Sequence, residues 1–572
     1  MAKREPAVRA ATGPFALIAQ GCGPVPARED SPCRDRTSDS ARYRQRHLAW
    51  VAATGTRRVE VNSPLALAAN CSAQLCETHS GVVILVGDLA YKIKKPVDLG
   101  FLDFRTERAR RDACHREFEL NRRLAPDVYL DVAELRGSDG AVREHVLVMR
   151  RMPAKRRMST LISSGADVTA ELDALAEIMA DFHAAAARGE AISDAGRGPA
   201  LLTRWNNNLA ETTQYRGTVL DRQTHDDIAR LARRYVTGRT ALLDARADTG
   251  CVVDGHGDLI AEDIFCLPDG PRVLDCLEFD DSLRWVDVLD DIAFLAMDLE
   301  HLGHAELAER LLHRYGELTA SVPPESLQHH YVAYRAFVRA KVSCIRAAQG
   351  DDRSAAQARA LAALALNHLR AGEVRLILVG GAPGTGKTTL AHALAPRLGA
   401  EVLSSDDVRA ELGQPNRYTP QAKAATYREL LARAEVLLRH GRSVVADATW
   451  STEVCREAAR ALATSTASRV VELECRLPVE LAAGRAQQRL ERAASSSEAG
   501  GDVARRLAAE RDAWPRAVPL DMTATPEEAL AHAARVAGPA SRDPGPTALP
   551  PTVPASRPFT DHRLAGNPGG SS

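Results

Sequence analysis

The stretch Gly381-Ala382-Pro383-Gly384-Thr385-Gly386-Lys387-Thr388 follows the apolar run Val374–Val379 and opens into the alanine-rich segment Thr389–Leu398. A buried strand that turns through G-x-x-x-x-G-K-[ST] into a helix is a phosphate-loop arrangement. Glycines there let backbone N–H groups wrap phosphates, and the helix N-terminus adds a field that favours anions. Lys387 is placed for the β/γ-phosphates and Thr388 for Mg²⁺, while Gly381 to Gly386 and Thr389 complete the cradle. The pattern implies a nucleoside triphosphate ligand and commits the surrounding segment to an α/β fold.

Apolar strand-like runs at Arg375–Val379, Glu401–Leu403, Ser443–Ala446 and Arg469–Leu473 alternate with helical patterns at Thr388–Leu398, Gln421–His440, Thr452–Ala463 and Pro478–Ala493. Such alternation predicts a parallel, doubly wound sheet over residues 372–536, with ligands at the carboxyl ends of its strands. The second strand runs into Ser404-Ser405-Asp406-Asp407-Val408-Arg409. Asp406 is placed to accept a hydroxyl proton and Arg409 to hold an anionic part of an acceptor, although a helix N-cap with a surface arginine fits the same residues. The third strand ends at Asp447, where an acid can orient Mg²⁺ or its water, or cap a helix. Arg485, Arg489 and Arg492 recur on one helical face before the small, polar stretch Ser495–Gly501. They read equally as a lid closing on a phosphoryl group or as a solvated face.

Residues 70–365 differ in style. Strand-like pieces at Gly81–Val86, Leu89–Ile93 and His145–Met149 come early and helical patterns dominate after Ala166, which predicts a bilobal α+β domain with a cleft. Within it, His256-Gly257-Asp258-Leu259-Ile260-Ala261-Glu262-Asp263 is followed by Val273-Leu274-Asp275. The spacing fits a catalytic loop H-x-D-x-x-x-x-N and its downstream acid, or else an acidic turn between strands. In the first reading Asp258 takes the acceptor proton, and Asp263 and Asp275 hold Mg²⁺ against phosphates. Leu89-Ala90-Tyr91-Lys92 supplies a strand lysine for the phosphates and Glu117 a helical acid to hold it; Lys94 replaces Lys92 only if the strand register slips.

The charge balance constrains partners. Lys+Arg is 74 against 75 Asp+Glu over 572 residues, so no net field favours nucleic acid or an anionic membrane. Only eight of the basic residues are lysines, three of them at Lys92, Lys94 and Lys95, which points to sites wanting a compact point charge. Eleven cysteines lack C-x-x-C pairs, and no apolar run reaches the ~18 residues of a membrane span. A cytoplasmic protein is expected. Residues 1–60 and 538–572 have the composition of disordered segments. His183 reads as a packed helix histidine, and Asp287, Asp290 and Asp291 near Arg284 as an ion-pair cluster or helix cap.

The C-terminal motifs resemble the AAA_33 and zeta-toxin-like group of small P-loop kinases, which includes gluconate kinases and polynucleotide 5′-hydroxyl kinases. The N-terminal motifs, with Thr78-His79-Ser80, Phe101-Leu102-Asp103-Phe104, Asn121–Tyr129 and Leu283-Arg284-Trp285-Val286-Asp287, resemble the aminoglycoside phosphotransferase family, whose members share a protein-kinase-like fold. The order of the two resembles the bacterial bifunctional aminoglycoside phosphotransferase/ATP-binding proteins. The resemblance implies two ATP- and Mg²⁺-using domains that phosphorylate hydroxyls of small molecules, sugar- or aminoglycoside-like. It departs from the family at Asp263, where the loop usually has Asn, and in lacking a glycine-rich loop before Lys92. A single-activity P-loop kinase acting on a sugar or a nucleic-acid 5′-hydroxyl, with a ligand-sensing N-terminal domain, is the alternative. A nucleic-acid partner is the less favoured one, no membrane partner is expected, and oligomeric state is left open.

Overall fold

The computed structural model describes residues 74–77, 80–98, 103–320, 323–413, 419–491 and 500–538. The expectations for residues 1–60 and 539–572, Thr78-His79, Phe101-Leu102, Arg492 and most of Ser495–Gly501 lie outside these. The N-terminal part opens with β1 (Gln74–Glu77), β2 (Gly81–Val86) and β3 (Leu89–Lys94), then α1 (Glu107–Asn121), β4 (Tyr129–Arg136) and β5 (Val142–Arg150). The strands form one antiparallel sheet in the order β1-β2-β3-β5-β4. Helix α1 packs on β4 and β5, and Thr106 caps it by accepting the Ala109 N–H. Helical residues 158–371 follow, including α2 (Thr169–Ala185), α3 (Gly198–Thr212) and α4 (Arg222–Gly238). The short pairs β6 (Val252–Asp254) with β9 (Trp285–Asp287) and β7 (Ile264–Leu267) with β8 (Gly270–Val273) frame the loop from His256 to Asp263. Helices α5 (Val288–His301), α6 (Ala305–Leu318), α7 (Glu325–Ala348) and α8 (Asp352–Ala371) complete the lobe. The bilobal arrangement read from the sequence is therefore what folds.

The C-terminal part runs β10 (Arg375–Gly380), α9 (Lys387–Leu394), β11 (Ala400–Ser404), α10 (Ser405–Leu412), α11 (Pro420–Arg439), β12 (Ser443–Asp447), α12 (Glu453–Ser465), β13 (Arg469–Arg476), α13 (Val479–Glu491), α14 (Gly501–Ala509), β14 (Val518–Asp521) and α15 (Pro526–Ala537). Its sheet is parallel throughout, in the order β11-β12-β10-β13-β14. The fifth strand, β14, was missed in the sequence: Val-Pro-Leu-Asp is short, and the proline obscures its apolar pattern. Leu376, Leu378, Val444 and Ala446 face one side of the sheet, and Ile377, Val379, Val445 and Leu473 face the other.

The two parts share a packed seam. The Arg239 guanidinium, 1% exposed, donates to Thr466 O at 2.9 Å and Ser468 Oγ at 3.0 Å, while Ser326 Oγ donates to Gly441 O at 2.7 Å. One apolar core runs through the seam from Leu242 and Leu327 to Leu430 and Leu438. The eight cysteines among the described residues are free thiols, and no described helix is long and apolar enough to cross a membrane.

Near this seam lies a buried histidine with a measurable consequence. His330 accepts the Trp205 indole N–H on Nε2 at 3.1 Å and stacks on Tyr235 at 4.3 Å, while its Nδ1 meets no partner among the described residues. Burial holds its pKa down to about 3. Its unfolded value is ~6.5, so between these limits the unfolded chain binds a proton that the fold refuses. Stability from this group is full above ~pH 6.5 and falls with acidification by about 1.4 kcal/mol per pH unit. Unfolding free energies from urea titrations at pH 7 and pH 5 should therefore diverge less in His330→Phe than in wild type, by roughly 2 kcal/mol.

Candidate functional site

Two sites emerge, one per part. In the N-terminal cleft, β3 alternates so that Lys92 and Lys94, two residues apart, project on the same side. Lys92 Nζ donates to Glu117 Oε1 at 2.7 Å and to Asp275 Oδ1 at 2.9 Å. Lys94 Nζ lies 2.6 Å from Glu117 Oε2 and also contacts Glu278. The sequence reading that set Lys92 and Lys94 as alternatives separated by a register slip is thus corrected: with a period of two, both face Glu117 in one register. Glu117 is fully buried, and although burial opposes ionisation, Lys92 and Lys94 hold its pKa below the usual range. The pKa of Lys92 moves the opposite way and is raised, burial being outweighed by Asp275 and Glu117.

The loop carrying Asp258 is fixed from behind. Asp291, at the start of α5, accepts the backbone N–H of His256 at 2.6 Å and of Gly257 at 2.9 Å, and pairs with His183 Nε2 at 3.1 Å. His256 is buried; its Nε2 lies 3.2 Å from Leu274 O, and the Asp258 N–H donates to its Nδ1 at 3.4 Å. Those partners call for the neutral tautomer with the proton on Nε2. Arg335 Nη1 donates to Gly257 O at 3.2 Å while pairing with Asp290. Asp287 caps α5 and pairs with Arg246. Arg284, which the sequence suggested as the partner of these aspartates, instead binds Asp254 at 2.8 Å and Asp281 at 2.6 Å. His183 is a packed helix histidine, hydrogen-bonded to Tyr315 and Asp291.

Asp258 and Asp263 are half-buried at the surface but hemmed in by protein, which pushes both carboxyls up. For Asp263, Asp275 and Asp258 add to the burial effect. Asp275 is lowered, first by the Lys92 charge, and occupies the left-handed region at φ 64°. Its strained backbone is held because the Asp275 N–H donates to Tyr129 Oη at 3.2 Å and the Cys276 N–H to Asn121 Oδ1 at 2.8 Å. Among the described residues no group of three His, Cys, Asp or Glu side chains is gathered to hold a metal by itself. Asp263 and Asp275 fit a smaller role, since Mg²⁺ is commonly bound by one or two carboxylates with phosphates and water supplying the rest. Their mutual repulsion is what a divalent cation would relieve.

In the C-terminal part, Gly384 and Gly386 take φ of 82° and 91°, and α9 begins at Lys387. Gly381, Pro383, Thr385 and Lys387 are buried, Ala382, Gly384 and Gly386 partly so, and Thr388 and Thr389 are exposed at the helix start. Asp447, 2% exposed, ends β12 with its Oδ1 unpartnered among the described residues. Burial raises its pKa against the Lys387 charge and a Thr388 hydrogen bond, and Asp406 adds to the rise, so these groups face one another. The orphaned oxygen suits a metal or its water beside Thr388. Asp406 pairs with Arg409 one turn on, and Ser404 caps their helix. Arg485 is exposed and Arg489 half-buried on α13, whose buried residues Ala482 and Ala486 lie against the loop. A cavity of about 520 Å³ beside the loop is lined by Ala382, Thr385, Glu474, Arg476, Arg511 and Trp514.

A side chain at Gly384 would place its Cβ 2.0 Å from Ala482 O. Gly384→Ala should therefore lift α13 from the loop and add about 1–2 kcal/mol of left-handed strain. The expected result is at least ~10-fold weaker ATP binding in the fraction that Lys387→Ala abolishes, read by nucleotide titration.

Residues 101–329 match the phosphotransferase enzyme family and residues 376–514 an AAA domain. Uncharacterized protein Rv2004c of Mycobacterium tuberculosis (strain ATCC 25618 / H37Rv) is 43% identical over 464 residues, spanning 79% of this chain and 92% of that protein. Mb2027c of Mycobacterium bovis gives the same identity and coverage. Among solved structures, a choline/ethanolamine kinase family protein from Mesorhizobium loti is 18% identical, covering 58% of this chain and 99% of its own, with a TM-score of 0.33. A sugar kinase from Janibacter sp. HTCC2649 is 21% identical, covering 28% and 94%, with a TM-score of 0.24.

Proposed function

We propose that this chain, a kinase that belongs to the family of these mycobacterial proteins and joins a phosphotransferase-family domain to an AAA domain, uses ATP at both sites to phosphorylate hydroxyls of small molecules. The observation that carries the reading is the convergence of Lys92, Glu117 and Asp275 from β3, α1 and the segment after β8, in the same cleft as Asp258. In it, Lys92 leaves Asp275 to grip phosphates, and Asp258, held by the neutral His256, takes the proton of the attacking hydroxyl. Asp263 and Asp275 would hold Mg²⁺, which when bound neutralises charge on the phosphates. In the C-terminal part, Lys387 and the backbone N–H groups of residues 384–388 bind phosphates, with Asp447 and Thr388 toward Mg²⁺. Asp406 is the acceptor-side base, and Arg409, Arg485 and Arg489 position or screen anionic oxygens.

The test is Mg²⁺-dependent ADP release against sugars, aminoglycosides and 5′-hydroxyl oligonucleotides in wild type, Asp258→Ala and Lys387→Ala. Two acceptors, each silenced by a different variant, support two working sites. Turnover that only Lys387→Ala removes assigns transfer to the C-terminal part and leaves the N-terminal lobe a nucleotide or ligand sensor.

A further inference from the structure

The double use of Glu117 has a chemical consequence for the N-terminal site. Lys92 cannot grip phosphates while it is held by Asp275 and Glu117 together, and Glu117, with no exposed surface, cannot be left without a counter-charge. Lys94 meets the second requirement. It is 2% exposed, reaches the other oxygen of Glu117 at 2.6 Å, and covers the Phe104 ring at 5.4 Å, so it is pinned in place. Its remaining contact is Glu278, three residues beyond Asp275.

We propose that Lys94 is a positioning residue: it is the standing counter-ion of Glu117, and through Glu278 it clamps the Asp275 segment to β3, so that Lys92 is released to bind phosphates without stranding a buried carboxylate. This rests on the reading of the cleft as a nucleotide site. The five side chains form a chain of alternating charge, Asp275–Lys92–Glu117–Lys94–Glu278, in which the links of Lys92 give way when nucleotide arrives and those of Lys94 remain. Glu278 matters for geometry as well. Asp275 sits at a positive φ that an aspartate holds only when its surroundings fix it, and Lys94–Glu278 is the tether on its C-terminal side, as Tyr129 and Asn121 are on its backbone. Lys95, the next residue, faces elsewhere and pairs with Glu77.

The experiment uses the full chain with Lys387→Ala, so that ATP titration in the presence of Mg²⁺ reports the N-terminal site. In this parent, Lys94→Met is expected to weaken Mg²⁺-dependent ATP binding roughly 10–100-fold, the range seen when groups behind a metal or phosphate ligand are removed. Lys94→Arg, which keeps the charge, should recover most of it. Glu278→Gln should show the same direction and, combined with Lys94→Met, add little, because both cut one link. Thermal midpoints are recorded for each variant, since a purely structural lysine would shift the midpoint and leave the ATP affinity of the folded protein unchanged. If Lys94→Met does not fold, Lys94→Arg and Glu278→Gln still decide the matter. Wild-type affinity in folded Lys94→Met, or in Glu278→Gln, would overturn the role of Lys94 alone. Absence of ATP binding in the parent itself would overturn the nucleotide site, and the role of Lys94 with it.

Discussion

Asp258→Ala is expected to lower acceptor-stimulated ADP release at the N-terminal site by about 10²–10⁴-fold, the usual contribution of a positioned general base. ATP affinity there should change little, because Lys92, Glu117 and Asp275 hold the phosphate side of the cleft and Asp258 makes no contact with them as a hydrogen-bond partner. Its neighbours set this expectation. The carboxyl is pushed up by burial, against the attraction of Arg339, so it holds a proton more readily than a surface aspartate. Asp258→Asn, which keeps the shape and loses the base, should be nearly as slow as the alanine variant, and Lys387→Ala should leave this activity in place. Measurement of kcat and of ATP affinity separately checks the assignment. A variant that retains turnover would make the lobe a binding module.

The largest structural loss is expected at Asp291. It has no exposed surface, and three donors converge on it: the backbone N–H groups of His256 and Gly257 and the imidazole of His183. Burial opposes its ionisation, yet the hydrogen bonds from the His183 imidazole and the His256 backbone N–H hold its pKa far below the usual range. Asp291→Ala leaves two buried N–H groups and an imidazole without an acceptor, and should destabilise the helical lobe by about 3–5 kcal/mol. Asp291→Asn keeps one acceptor oxygen and should fall between. Gly255 reports the same closeness, since a Cβ there would come 2.5 Å from Asp291 Oδ2. Urea denaturation gives the stability change. Turnover measured well below the melting point should also fall, because this carboxylate, with Arg335, anchors the backbone that aims Asp258.

What the sequence alone determined were the features written in local patterns. The phosphate loop, the alternation of β10 to β13 with helices, the catalytic-loop spacing and the strand lysine are each set by residues close together in the chain. Their chemistry requires fixed spacing, and period-two or period-3.6 patterns show which element carries them. Strands β1, β4 and β14 were not legible, because β1 is exposed along its whole length, β4 (Tyr-Leu-Asp-Val-Ala-Glu-Leu-Arg) does not alternate apolar with polar residues, and β14 is short and carries a proline. Tertiary structure decided the rest. That Lys92 meets Asp275 across 183 residues, that Lys94 shares Glu117 rather than competing for it, and that Arg284 serves Asp254 while Asp291 serves the loop backbone follow from how distant elements pack. A buried charge takes whichever partner the packed fold brings within reach, because leaving it unpaired costs more than any local preference can offset. Local pattern names the residues capable of chemistry, and packing assigns their partners.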